Sequence, residues 1–565
     1  MSCGQAARES GGISAGETGG ATAGATAGAT ADVTAGNTSA ASGTAGGSAT
    51  GPKFDVGGGG GTDSGGDGGG GTAPTCATID QFPGTSVGCE FFAHAPNSMK
   101  TNIVQGWQPE ITGGLGISVG NPADQTAHVR IEDMRGPGGT LRLMTEFDLP
   151  PKGSKMVALN GTDPVGLFPN ELYTDDNPFN VPTKYEKSAF RISSDVPVTA
   201  TQIFPAGGAP SYVPDASLLL PVNSLGTVYL GTSYDMPGTT NGRDLGWIIV
   251  VAVEDDTTIE TQYESITLNA FDGYLLETSP SNTEVAMGFY VKGDKPFAAF
   301  GGDNCTFAPP AYGTCDHMEE QLLPVASWGT TYVAARHPRR SPMIIEEDEM
   351  VVWRLMAGAD DVHITLDPPV PGVNPGDPPI GSVTLDKLGD WQELRTSDPF
   401  VATSDKPFML VEFMAGSAVL EPKVDEWDKS PEGGGKSGDP SMVQMIPVEQ
   451  WLEALPFVTD VSYNWDFVTI ARKKGTEVTL TCLGVVPDDH FVSIGGTDYE
   501  IGHVTLDLFG MGGEGNCEDG AQYLTATGGV GVGVVVGGVS QDASYLLPGG
   551  MRLGELFTPP PPPEG

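Results

Sequence analysis

Three short phrases recur along this chain, and their spacing sets the size of its folding unit. In the first, Asp, one residue and Pro precede an apolar run. It is SSDVPVTATQIF around Asp195, KGDKPFAAFGG around Asp294 and TSDKPFMLVEF around Asp405, with spacings of 99 and 111 residues. The second is LPVNSLGTVY, LPVASWGTTY, IPVEQWLEALPF and a terminal LPGG. Its prolines, 221, 324, 447 and 548, stand 103, 123 and 101 residues apart. The third is WIIVVAVEDDTTIETQ (247–262), VVWRLMAGADDVHITLD (351–367) and FVTIARKKGTEVTLTC (467–482). Each copy joins an apolar run to an alternating Thr/Val/Ile run through a polar turn, the pattern of a hairpin. Asp255-Asp256 and Lys474-Gly475 supply the turn chemistry.

A recurrence of about 100 residues built from short strands predicts an all-β chain of repeated units. The 81 Gly and 46 Pro agree, because both interrupt helices and punctuate strands. Tandem β-sandwich-like units suit the period; a β-propeller-like arrangement is the alternative, although single blades are about half this size. Proline fits the first residue of a strand or an edge, and the Asp before it is expected to bond local backbone and shape the turn. EEQLLPVASW (319–328) and PVEQWLEAL (447–455) read as short helices or irregular segments, and GGVGVGVVVGGV (528–539) as a strand. No apolar run reaches about 18 residues, so no transmembrane helix is predicted.

Residues 1–75 are a low-complexity Gly/Ala/Thr/Ser tether with Phe54 as its only aromatic. Such a segment buries too little apolar surface to offset its ordering entropy and is expected to be disordered. The repeated region spans 76–557, and a Pro-rich tail, 558–565, follows. Net charge is −44, from 72 acidic and 28 basic residues. That balance argues against nucleic acid, whose phosphates need Lys and Arg. It supports solubility and leaves loose Ca²⁺ uptake as a candidate; no other cofactor is expected.

Six of the seven cysteines fall into local pairs: Cys76 with Cys89, Cys305 with Cys315, and Cys482 with Cys517. None forms a CxxC, so three disulfides are the simplest account, and disulfides imply an oxidising compartment. The odd one, Cys3, stands in Ser2-Cys3-Gly4, which resembles the end of a bacterial lipoprotein signal. A start assigned too far downstream would explain the missing signal, with Cys3 as a lipidation site and the protein at the cell surface or outside the cell.

The search for reactive groups finds no GxSxG, HExxH, P-loop or EF-hand pattern. The densest polar cluster is Asp316, His317, Glu319 and Glu320, in types that bind metals or move protons. Adjacent residues on one strand or helix cannot all face one ion, so a disulfide-closed loop capping a turn is the plainer reading. ARHPRR, around Arg336, His337, Arg339 and Arg340, is a basic island that reads as a solvated turn, or else as a binder of an anion or of an acidic neighbouring patch.

GCEFFA (88–93), FDLPP (147–151), FRISSDVPVTATQ (190–202), PDASLLLPVNSLGTVY (214–229), CDHMEEQLLPVASWGTTYVAAR (315–336) and SYLLPGG (544–550) together carry a resemblance. The chain resembles the IgGFc-binding protein N-terminal domain family, in particular bacterial members with a lipoprotein-like start. The resemblance implies an extracellular binding domain with no enzymatic activity and a surface protein or glycan as ligand. It supplies no contact residues. Two other functions stand beside it: a carbohydrate-active hydrolase using paired carboxylates, and a structural envelope protein without a ligand.

Overall fold

The two runs of the third phrase do not pair with each other. In the computed structural model, which describes residues 75–79, 84–95, 114–159, 182–211, 214–234, 246–278, 285–309, 315–340, 349–372, 376–416, 438–540, 543–559 and 561, they enter different sheets. Gly246–Ala252 pairs with Gly273–Glu277 and Phe297–Thr306. Thr257–Thr261 pairs instead with Ser265–Leu268 and Tyr290–Gly293. The expected hairpin is therefore a crossing between two layers. Burial explains it: WIIVVA is buried on both faces, whereas TTIET is buried only on alternate residues. The crossing turn needs a left-handed residue, and the three copies place Asp256 (φ 55°), Asp361 (φ 57°) and Gly475 (φ 80°) there.

Each unit is a two-layered antiparallel sandwich. In the third, Val351–Ala357, Trp391–Thr396, Phe408–Met414 and Ser441–Gln444 form one sheet. Thr331–Val333, Val362–Val370, Ile380–Leu385 and Val401–Ser404 form the other. The second and fourth units repeat this pairing. In the first, Phe190–Phe204 is long enough to serve both layers: its start pairs with Ala127–Asp133 and its end with Leu115–Gly120. Among the described residues there is no α-helix.

The Asp-x-Pro phrase has a longer reach than its sequence suggests. Asp195, Asp294 and Asp405 each accept a hydrogen bond from a backbone N–H of the second sheet's central strand: His128 (2.7 Å), Thr258 (2.8 Å) and His363 (3.2 Å). These are the second residues of their strands. The aspartates thus fasten strands 67, 36 and 42 residues away, and Asp405 also bonds locally, to its own backbone N–H and the Ser404 hydroxyl. The fourth unit has no Asp-x-Pro phrase.

The second phrase joins one unit to the next. Its prolines open the 3-10 turns Val222–Ser224, Val325–Ser327 and Val448–Gln450, so the expected short helices are single turns. Pro221, Pro324 and Pro447 lie against Gly88, Gly226 and Gly329, where any Cβ would overlap the proline ring. Gly226 and Gly329 donate their N–H to the buried phenols of Tyr229 and Tyr332, which explains the spacing in GTVY and GTTY. Trp328 and Trp451 donate to the carbonyls of Leu323 and Ile446.

The four sandwiches close into a ring. The last strands, Asp215–Leu219, Asp316–Gln321, Ser441–Gln444 and Ala543–Pro548, line its axis; each touches two others, and the fourth returns to the first. Neighbouring units share apolar cores: Phe91 and Ile192 with Trp247 and Phe300, and Ile203 and Ala216 with Leu455 and Val536. Burying each of the Phe, Ile, Leu and Val side chains among these contributes about 1.5–3 kcal/mol. The chain ends seal the ring, since Ser86 N–H donates to the Met551 carbonyl (3.0 Å) and Leu553 N–H to that of Gly84 (2.7 Å). Disulfides join Cys76 to Cys89 and Cys482 to Cys517. Cys315 is disulfide-bonded, whereas the Cys305 side chain and Cys3 lie outside the described residues.

Candidate functional site

Strand alternation decides what the polar cluster can do. Asp316–Gln321 is not a capping loop; it is an axial strand with all six residues buried. Asp316 and Glu320 project to one side, His317 and Glu319 to the other. All four candidate ligands therefore do not face one point. Among the described residues, no group of three or more His, Cys, Asp or Glu is placed to hold a metal.

The structure gathers a different set around the axis, centred on Asp215. Its carboxyl accepts hydrogen bonds from the N–H of Ala216 (2.9 Å) and Glu319 (3.1 Å) and from the Ser441 hydroxyl (3.0 Å). The Leu546 amide also faces it. One side chain of the first unit thus engages the axial strands of the other three. Burial pushes the Asp215 carboxyl well above the usual carboxylate range, against the pull of those donors.

Gln side chains extend the seam. Gln321 accepts from Leu220 N–H (2.8 Å), and Gln444 accepts from Leu323 N–H (3.3 Å), so the same bond links units one and two and units two and three. Glu319 Oε2 accepts from Gln202 (2.8 Å), and Glu320 Oε1 meets the Ser217 hydroxyl at 3.4 Å. Their other oxygens, Glu319 Oε1 and Glu320 Oε2, have no hydrogen-bond partner. Burial raises both carboxyls well above the usual range; repulsion from Asp215 adds to this in each, and Glu319 and Glu320 are also close enough for repulsion to bear on Glu320. His317 is fully buried, donates from Nδ1 to the Asp303 carbonyl (3.1 Å) and is pushed down to about 3 by burial. An imidazole held neutral to that point, with no solvent contact, is a poor acid–base group near neutrality.

The basic island is also internal. Arg336, His337 and Arg340 are buried, and only Arg339 is exposed, which replaces the expected solvated turn. His337 lies between Glu412 (2.6 Å) and Glu349 (2.9 Å), and Arg340 Nε donates to Glu349 (2.6 Å). Burial opposes a charge on Glu349, yet Arg340, His337 and Arg336 hold it well below its usual range. The partner is thus an acidic patch, folded inside the protein. The His503 ring donates to the Arg336 carbonyl (2.9 Å), which ties this cluster to the fourth unit.

Arg354 performs the same service between units two and three. It donates to the Ser233 carbonyl (3.0 Å), pairs with Glu393 (3.2 Å) and lies over the rings of Tyr234 and Trp391 at 4.3 and 4.1 Å. Sequence reasoning singled out none of Asp215, Gln202, Glu349, Glu412 and Arg354, because their partners are distant in the chain. A cavity between units three and four, lined by Val333, Met445, Trp451, Thr469 and Val535, holds ≈ 10 Å³, room for one water at most.

These features define a closed ring of sandwiches whose densest polar chemistry joins its own strands. Residues 215–536, more than half of the chain, match the family described as IgGFc binding protein, and the chain belongs to that family. The human IgGFc-binding protein is 30% identical over 131 residues, covering 21% of this chain and 2% of its own length. The chain therefore spans a very small part of that relative. A solved structure titled "Crystal Structure of Thermotoga maritima 1070" is 18% identical and covers 20% of this chain and 78% of that one. Its TM-score of 0.13 carries no argument about fold.

Proposed function

We propose that this protein is a non-catalytic extracellular binding protein that meets a surface protein or a glycan with the outside of its ring. Family membership supports a binding role. The observation that carries the reading is the state of the reactive groups: Asp316, His317, Glu319 and Glu320 are no more than 1% exposed, so no substrate reaches them. A glycoside hydrolase needs two carboxyls flanking an open cleft, and the axial carboxyls have none. The tether, with lipidation at Cys3, would hold the ring away from a membrane surface. The disulfides agree with an oxidising compartment.

The test presents the full chain to arrays of glycans and of secreted proteins and assays turnover of every ligand captured. Saturable capture without turnover is expected. Cleavage of a bound glycan would overturn the reading in favour of a hydrolase, and blanks on both arrays would favour a structural envelope protein.

A further inference from the structure

Three fully buried carboxyls, Asp215, Glu319 and Glu320, meet where the first and second axial strands touch, and each repels at least one other. No cation lies among the principal groups that act on any of them. Among the described residues, uncharged donors and further acids surround them. From the first unit come Ser217 and Gln202, and behind Gln202 a neutral His94. Their own strand adds Asp316 and His317. The third unit adds Ser441 and, just before it in the chain, Asp439. From the fourth, the Tyr463 phenol lies near Asp215, Asp316, Asp460 and Asp466, with its oxygen unpartnered. Three negative charges in such a place would each need several kcal/mol of compensation, and the neighbours offer uncharged donors alone.

We propose that protons latch the ring: at least two of Asp215, Glu319 and Glu320 are neutral acids at neutral pH, and ionising them in alkali loosens the four axial strands. The linkage follows. Each such acid is protonated in the folded ring and ionised in the unfolded chain, so the folded state holds more protons and stability falls as pH rises. The contribution is complete below the ordinary carboxylate range and fades as pH climbs through the folded values. The buried histidines of the axis are already neutral above neutrality, but burial also raises Asp466 and Asp519 in the fourth unit, so the slope lost in the glutamine variants, rather than the wild-type slope alone, identifies the latch.

The experiment measures the urea midpoint of the full chain from about pH 7 to about pH 9, beside Glu319→Gln, Glu320→Gln and the double variant. Each latching proton changes the folding equilibrium about tenfold per pH unit within its window. The wild-type midpoint is expected to fall with pH, and each variant to lose part of that slope, because Gln copies the neutral acid. A flat or rising wild-type midpoint overturns the proposal, as does an unchanged slope in the double variant. Should the variants not fold, the wild-type infrared spectrum decides. A protonated-carboxyl stretch that persists at about pH 8 and disappears with unfolding supports the latch. Absence of that stretch from the folded protein overturns it.

Discussion

Two strands show how differently the same alternation is used. Val362–Val370 buries Val362, Ile364 and Leu366 and exposes His363, Thr365 and Asp367, so its polar residues mark solvent. Asp316–Gln321 also alternates, yet both of its faces are buried, and its polar residues mark the joint between units. From sequence alone the axial strand resembles a reactive site, because a polar residue has no label saying which partner will satisfy it. The rule that buried polar groups find partners holds at both ends of the comparison; only the partner changes, from water to a neighbouring sandwich.

The sharpest way to break this distinction is Asp215→Ala. It strips an acceptor from Ala216, Glu319 and Ser441 at once. Each orphaned buried donor costs about 1–3 kcal/mol, so chemical denaturation should show a loss of about 4 kcal/mol or outright failure to fold. A stability equal to wild type would mean that the axis does not hold the ring.

His337→Ala comes next. It removes the imidazole that bridges the buried Glu349 and Glu412 and leaves each without one of its partners, and about 3 kcal/mol should be lost in the same measurement. An effect within error would return ARHPRR to the status of an ordinary turn. Gly329→Ala forces a methyl into Pro447 at the junction of units three and four. Overpacking of this kind costs about 1–3 kcal/mol, and a calorimetric midpoint unchanged from wild type would show that the junction yields freely.

The smallest effect belongs to the outer sheets. Asp405→Ala removes one acceptor for the His363 amide at a solvated strand, and its urea midpoint should move less than in any variant above. A shift as large as that of Asp215→Ala would erase the contrast between axis and periphery.

Acid should act through the buried histidines. His94 and His503 are pushed down to about 4 and His317 to about 3 by burial, so each is neutral in the fold but protonated in the unfolded chain below about 6.5. The unfolded state then binds more protons, and these three contributions to stability are lost as pH falls from that value towards 3–4. Replacing His94 with Gln should remove part of that acid-side slope; an unchanged slope would show the ring is protonated in place.

Much of the architecture was legible. The recurring prolines and Asp-x-Pro aspartates announced a repeat of about 100 residues, and the all-β reading stands. Closure of the units into a ring was not, because it depends on Gly84–Ser86 meeting Met551–Leu553, more than 460 residues apart. The crossing at Asp256 resembled a hairpin because turn chemistry alone does not say which sheet the next strand will join. The axial cluster was half visible. Asp316, His317, Glu319 and Glu320 stood out as a run, but Asp215, in an apolar phrase of its own, did not. A signal was present in the repeat: DASLLLP at 215–221 and DASYLLP at 542–548 keep the same Asp and Ser.

Amide hydrogen exchange along the axis tests the central claim most directly. If the four last strands are a sealed seam, the N–H groups of Leu220, Glu319, Gln321 and Leu323 exchange only through global unfolding and share its free energy. Fast exchange at these amides, while Ile364 and Leu366 stay protected, would contradict the account, placing solvent at the centre of the ring and its carboxyls within reach of a substrate.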